Sequence, residues 1–215
     1  GYGMLGLGHT PDIALKAMNQ PHVMANIMTP SVSQMKFIQT LKKEIGQNRK
    51  ITNKFSEFCC LNSGSESVSI AARLADVNAK ELTSNGALHE GKIIGRLTLS
   101  GSFHGRTDRP AQFSHSTQKS YQNHLKSFEN ISLLTVTPNN IDELNAVFKK
   151  AEEDNIFIEA FFMEPVMGEG NPGQAITPDF YKRARELTQK SGTLLLIDSI
   201  PVSYTHLRAH ETSID

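Results

Sequence analysis

An excess of charge of either sign is what this sequence lacks most plainly: 22 basic residues stand against 22 acidic ones in 215. No basic run is long enough to follow a phosphate backbone, so a nucleic-acid partner is not indicated. Long apolar runs are missing too. No stretch approaches the ~20 residues of a membrane span, and no charged-then-apolar leader opens the chain, so a soluble cytoplasmic protein is expected. Cysteine is nearly absent. Cys59 and Cys60 are adjacent on what reads as a strand, which points their side chains to opposite faces and suits neither a metal site nor an ordinary disulfide. Buried free thiols are the expectation. There is no internal repeat and no low-complexity tract. A chain of this length buries roughly 70% of its unfolded surface, enough for one substantial core.

What is present is organised around residues 158–198. The apolar run Phe161-Phe162-Met163, the turn Glu164-Pro165-Val166-Met167-Gly168-Glu169-Gly170, a helical pattern and then Leu194-Leu195-Leu196-Ile197-Asp198 read as a βαβ unit with buried parallel strands. Its helix is marked by Thr177 as N-cap, Pro178 at the first helical position and Gly192 beyond the end. A right-handed crossover brings Glu164, Glu169 and Asp198 to one sheet edge, the edge where open α/β sheets bind ligands. A carboxylate ending a strand of Leu and Ile is partly desolvated, so Asp198 requires a basic or proton-donating partner.

Ahead of this unit, residues 1–30 read as loop, and Ser31 or Ser33 caps a helix carrying Phe37, Ile38, Leu41 and Ile45, stopped by Gly46. Residues 57–61 read as a strand leading into Asn62-Ser63-Gly64-Ser65-Glu66 and a helix to about Lys80, packed through Val68, Ala71, Ala72 and Ala75 with Leu74 and Val77 offset. A Gly-Ser turn at a helix start aims unpaired N–H groups at one spot and suits a phosphate. The plainer alternative makes Ser65 only an N-cap. Strands follow at 93–100 and 131–136, the first ending in Gly101-Ser102-Phe103-His104-Gly105-Arg106-Thr107, where an aromatic ring and an imidazole can meet a planar ligand. Residues 108–130 show no period and read as a long connection. Asn140 caps a helix with Leu144, Val147, Phe148 and Ala151 inward. Gly168-Glu169-Gly170-Asn171-Pro172-Gly173 spells a dinucleotide fingerprint, but Pro172 and a helix starting only near Thr177 give it the wrong geometry.

Four of these segments, Asn62–Glu66, Gly101–Thr107, Glu164–Gly170 and Leu194–Asp198, occur in the order and spacing of class III aminotransferases, which they resemble from about residue 1 to 200. The opening Leu5-Gly6-Leu7-Gly8-His9-Thr10-Pro11 is similar to an early segment of the same family. The resemblance implies a three-layer α/β fold, a mostly parallel sheet with helices on both faces, and pyridoxal 5'-phosphate as cofactor. It further implies that Ser63, Gly64 and Ser65 receive the cofactor phosphate, that Phe103 stacks on the pyridine ring with His104 beside it, and that Asp198 pairs with the ring nitrogen. Glu164 supports the turn, Glu169 lies on the substrate side opposite an arginine, and Tyr2 matches a substrate-carboxylate contact. The implied reaction moves an amino group between an amine or amino acid and a 2-oxo acid, in a homodimer.

Departures from the family pattern carry expectations of their own. Ser199, Ile200 and Pro201 replace an acid, a branched residue and a glutamine, and Pro201 has no amide to offer the ring hydroxyl. No lysine follows Asp198, although the family's Schiff-base lysine lies beyond that position, and Lys182 and Lys190 come too early. Without a positioned amine the chain as it stands is expected to be inactive. Residues 202–215 look like read-through from a sequencing adapter. His206 and His210 imitate a metal pair there but have no third ligand. The expected division is an N-terminal segment, 1–30, of the active-site region, a partial cofactor-binding domain, 31–201, and a non-native tail, 202–215. The alternatives are another enzyme of the same fold, an aminomutase or decarboxylase, or a non-catalytic domain that binds a phosphorylated ligand.

Overall fold

A computed structural model of the chain describes residues 9–19, 31–44, 55 and 57–200. The chain divides into two units, one built from residues 3–60 and one from residues 61–205. In the first, helix α1 (Asp12–Met18) occupies a stretch expected to be loop. The flanking glycines and prolines hide seven residues of good helix formers that start with Asp12 after Pro11. Helix α2 (Val32–Glu44) begins at Ser31, whose hydroxyl accepts the Gln34 amide at 3.0 Å. Ile38 and Leu41 are half-buried and Phe37 is exposed; Ile45 and the expected stop at Gly46 lie outside the described residues.

The larger unit runs α3 (Gly64–Leu82), β1 (Ile93–Leu99), α4 (Asp108–Gln112), α5 (His115–His124), a 3-10 turn (Lys126–Phe128), β2 (Leu133–Val136), α6 (Ile141–Glu153), β3 (Ile156–Met163), α7 (Pro178–Ser191) and β4 (Leu194–Ile197). The four strands form one sheet in the order β2-β1-β3-β4, and every neighbouring pair is parallel. Two cores make three layers. Leu97, Leu99, Val136, Ile158, Phe161 and Met163 pack with Leu144 and Ala151 of α6 and Phe180 and Ala184 of α7. On the opposite face, Ala160 and Phe162 meet Phe113 and the small-residue face of α3, formed by Val68, Ala72 and Ala75. Each large side chain buried in this way contributes ~1.5–3 kcal/mol before entropy is charged against it.

The expected βαβ unit is present, with Thr177 accepting the Phe180 amide, Pro178 at the helix start and Gly192 left-handed at φ 75°. Asn140 likewise caps α6 by accepting from Glu143. Other expectations need correction. Residues 57–61 form no strand and Cys59 and Cys60 are exposed, because no described strand pairs with them and an unpaired extended segment has no ladder to bury it. Leu74 and Val77 are exposed as well: Val68, Ala72, Ala75 and Ala79 take the buried face of α3, and positions 74 and 77 fall on the far side at 3.6 residues per turn. The connection 108–130 holds two helices and a 3-10 turn. It escaped notice because α4 is short and α5 buries no residue, so neither writes an apolar period.

One irregularity shapes the sheet. Gly95 pairs with Ile158 while Arg96 pairs with Ala160, so Glu159 is an extra residue in β3. Such a bulge turns its side chain out of the strand's alternation. Because all strands are parallel, their C-terminal ends share one edge, and the segments after β1, β3 and β4 emerge there.

Candidate functional site

At that edge lies a cavity of about 260 Å³ lined by Ser63, Gly64, Ser65, Phe103, His104, Gly105, Glu164, Gly168, Glu169, Asp198 and Ile200. Every site residue expected from the sequence is therefore in one place, except Tyr2, which lies outside the described residues. His206 and His210 lie outside them too.

The start of α3 forms one wall. Ser63, and not Ser65, is the N-cap: its Oγ accepts the Glu66 amide at 3.2 Å, and the Glu66 carboxylate reaches back to the Asn62 amide at 2.8 Å. This is close to a reciprocal capping box. Ser67 N–H donates to the Ser63 carbonyl. The amides of Gly64 and Ser65 are left with no hydrogen-bond partner among the described residues, and the positive end of the helix dipole lies at the same point. A Cβ at Gly64 would run into the end of the Ile200 side chain, which would have to turn aside. Glycine is needed at Gly105: its φ is +118° and a Cβ would press on Ser65.

The segment after β1 supplies Phe103 and His104. Phe103 lies under the Arg106 guanidinium, 5.3 Å from its ring centroid, and its amide donates to Glu164 Oε2 at 3.0 Å. Glu164 Oε1 accepts the Gly168 amide at 2.9 Å. One carboxylate thus ties the loop after β1 to the turn after β3. Burial pushes the Glu164 carboxyl above its ordinary range; His104 and the two amides pull it down, and Asp198 adds to the upward push. Glu169 faces Arg106 at 3.4 Å through both oxygens, an exposed pair worth little in stability.

Asp198 is buried at the end of β4. Its Oδ2 lies 2.9 Å from His104 Nδ1, and its Oδ1 accepts the Ile200 amide at 3.3 Å. Behind His104, Nε2 lies 3.1 Å from the Thr98 hydroxyl, which lies 2.6 Å from the Ser102 hydroxyl. Sequence reasoning gave no role to Thr98, Ser102, Arg106 or Ile200. A lone hydroxyl among the apolar residues of β1 was the one signal available for Thr98.

Three carboxylates, one imidazole, two free amides and an aromatic wall can hold an anion at one end and a protonated ring nitrogen at the other. Residues 1–202 match the family model of aminotransferase class-III. The chain belongs to the class-III aminotransferase family. It is 31% identical over 210 residues to a [LysW]-aminoadipate semialdehyde/glutamate semialdehyde transaminase of Sulfurisphaera tokodaii, covering 95% of this chain and 46% of that protein. It is 29% identical over 215 residues to a glutamate-1-semialdehyde 2,1-aminomutase of Thermoplasma volcanium, covering 95% and 44%. The chain thus spans about half the length of these curated relatives. Among solved structures, the ornithine aminotransferase of Toxoplasma gondii superposes with a TM-score of 0.64 at 19% identity, over 92% of this chain and 42% of that one; that enzyme holds pyridoxal phosphate at partial occupancy in its active site. The fold is that of pyridoxal-phosphate-dependent aminotransferases, as expected from the four motifs.

Proposed function

We propose that the complete protein is a transaminase that uses pyridoxal 5'-phosphate to move an amino group between an amine or amino acid and a 2-oxo acid. The observation that carries this reading is the convergence of two unpaired helix-start amides, an aromatic ring and a buried carboxylate on one cavity. The residues fit the group. Gly64 and Ser65 would hold the phosphate through their amides, which have no other partner among the described residues; Ser63 shapes that cradle as the cap. Phe103 would offer its face to the pyridine ring, with His104 lining the same pocket. Asp198 would accept a hydrogen bond from the protonated ring nitrogen. When bound, the cofactor supplies an electron-withdrawing ring that stabilises negative charge developing on the substrate carbon. Glu164 holds two loops in register, while Glu169 and Tyr2 belong to the substrate side.

Homodimerisation, a cytoplasmic location and the division into residues 1–30, a partial cofactor-binding domain 31–201 and a tail 202–215 belong to the same proposal, on the family resemblance. The 215-residue chain carries no lysine after Asp198, so by itself it is expected to bind the cofactor and not to turn over. A second reading, an aminomutase, is favoured by the Thermoplasma relative and would use the same cavity. Product analysis of the full-length protein separates them, because a mutase returns an isomer of its substrate and needs no 2-oxo acid as acceptor.

The test on this chain is a titration with pyridoxal 5'-phosphate followed by borohydride reduction. Saturable binding competed by inorganic phosphate, with no site-specific pyridoxyl-lysine, is expected. Absence of saturable binding would remove the cofactor assignment, and a stoichiometric adduct at one lysine would overturn the placement of the Schiff-base residue outside this chain.

A further inference from the structure

The cavity wall behind His104 carries a chain of hydroxyls that the cofactor assignment leaves without a role. Thr98 and Ser102 are both fully buried, at 0% exposure, and His104 is 2% exposed. The contacts run Asp198 Oδ2 to His104 Nδ1 at 2.9 Å, His104 Nε2 to Thr98 Oγ1 at 3.1 Å, and Thr98 Oγ1 to Ser102 Oγ at 2.6 Å. Longer contacts, both 3.4 Å, lead from Thr98 to the Phe162 carbonyl and from Ser102 to the Phe113 carbonyl.

A proton inventory fixes the cavity end of this chain. An ionised carboxylate only accepts, so Nδ1 carries hydrogen toward Asp198. At the other ring edge Thr98 Oγ1 can either donate to a bare Nε2 and accept from Ser102, or accept from Nε2–H and donate to Ser102, which then turns to the Phe113 carbonyl at 3.4 Å. In either sense the Thr98 hydroxyl holds the ring edge opposite Asp198.

We propose that Thr98 is a positioning residue, backed by Ser102, that fixes the His104 ring with its Nδ1–H on Asp198 and so holds that carboxylate in place for a protonated ring nitrogen in the cavity. A His104 with hydrogen only on Nε2 would set the Nδ1 and Asp198 Oδ2 lone pairs against each other. This role rests on the cofactor reading above for its purpose, and on the hydrogen-bond geometry alone for the state of the imidazole.

The experiment uses the whole chain labelled with nitrogen-15 at its eight histidines, with His104 assigned by the loss of its signals in His104→Gln. Two-bond proton–nitrogen correlation near neutral pH should show the Nδ1–H form in the wild type. Thr98→Val, which keeps the shape and removes the hydroxyl, should disturb that pattern and weaken binding of pyridoxamine 5'-phosphate about tenfold; Thr98→Ser should restore both. A wild-type His104 with no hydrogen on Nδ1 overturns the proposal, as does a Thr98→Val chain with unchanged pattern and affinity. The wild-type spectrum needs no Thr98 variant, so if Thr98→Val fails to fold, that spectrum still decides between a ring with hydrogen on Nδ1 and the form that overturns the proposal. If the wild type shows the Nδ1–H form and binds no pyridoxamine 5'-phosphate, the cofactor reading fails and the imidazole state stands.

Discussion

Strand β3 and the turn that follows it carry two buried acids, Glu159 and Glu164, and the protein finishes them in opposite ways. Glu159, on the bulge, is wholly sealed and meets two guanidiniums: Arg96 Nε and Arg109 Nη2, each at 3.2 Å, and Arg109 also donates to the Ala72 carbonyl of α3 at 3.2 Å. Burial pushes the Glu159 carboxyl up and the Arg96 guanidinium down from their ordinary ranges, and the opposite charges pull both back. Glu164, at the end of the strand, receives only backbone amides, and the neighbouring Asp198 has one imidazole and one amide. The first cluster holds more positive than negative charge from its own side chains and joins sheet, α3 and α4. The second is short of positive charge and opens on a cavity. Buried charge supplied with counter-ions acts as a fastener, whereas buried charge left short of them marks a place for a ligand.

The largest effect that would break this contrast belongs to Glu159→Ala. It would leave two half-sealed guanidiniums uncompensated and should cost about 3–5 kcal/mol in urea unfolding; a loss below ~1 kcal/mol would mean that Glu159 fastens nothing. Asp198→Ala should show the opposite balance. Affinity for pyridoxamine 5'-phosphate, measured by calorimetric titration, should fall at least tenfold, in line with ~1.5–3 kcal/mol for a hydrogen bond to a charged group, with a smaller loss of stability than Glu159→Ala.

Glu164→Gln sharpens the comparison through pH. Burial raises the Glu164 carboxyl, so the folded chain holds that proton more tightly than the unfolded one. The resulting stabilisation is complete below the ordinary carboxyl range and is lost as pH rises through the raised value. Glutamine does not titrate, so the stability of wild type minus that of Glu164→Gln should decline across that interval in chemical unfolding at stepped pH. A difference that grew with pH would show that the amides and His104 outweigh burial. Replacing one carboxylate oxygen by an amide also strands one of the two N–H donors, at ~1–3 kcal/mol. The smallest effect is expected of Ser63→Ala, about 1 kcal/mol of thermal stability for the lost cap of α3, with weaker cofactor-analogue binding as the cradle frays.

Much of the fold was legible because its signals are local. The apolar runs Phe161–Met163 and Leu194–Ile197, the Thr177-Pro178 start and the Gly192 stop each report on a few adjacent residues, and the structure places both runs in strands, the first of them longer than read, from Ile156. The segments that were misread lack such signals or depend on distant partners. Helix α5 buries no side chain, and residues 57–61 would have needed a neighbouring strand to become one. In the candidate site, the residues singled out at turns and at the end of β4, namely Ser63, Gly64, Ser65, Phe103, His104, Glu164, Glu169 and Asp198, line one cavity. Thr98 and Ser102 were not, since a hydroxyl becomes informative only once its partner is known.

From the chain alone came the family, the alternation of strands and capped helices, and the few acids, amides and rings that a ligand could use, because helix caps, apolar periods and glycine-bounded turns are short-range properties of neighbouring residues. Only the tertiary structure decided which buried acid meets arginines and which faces a cavity. That choice turns on a single extra residue in β3 and on the contact between positions 104 and 198, which lie far apart in the chain and meet only when parallel strands align their ends.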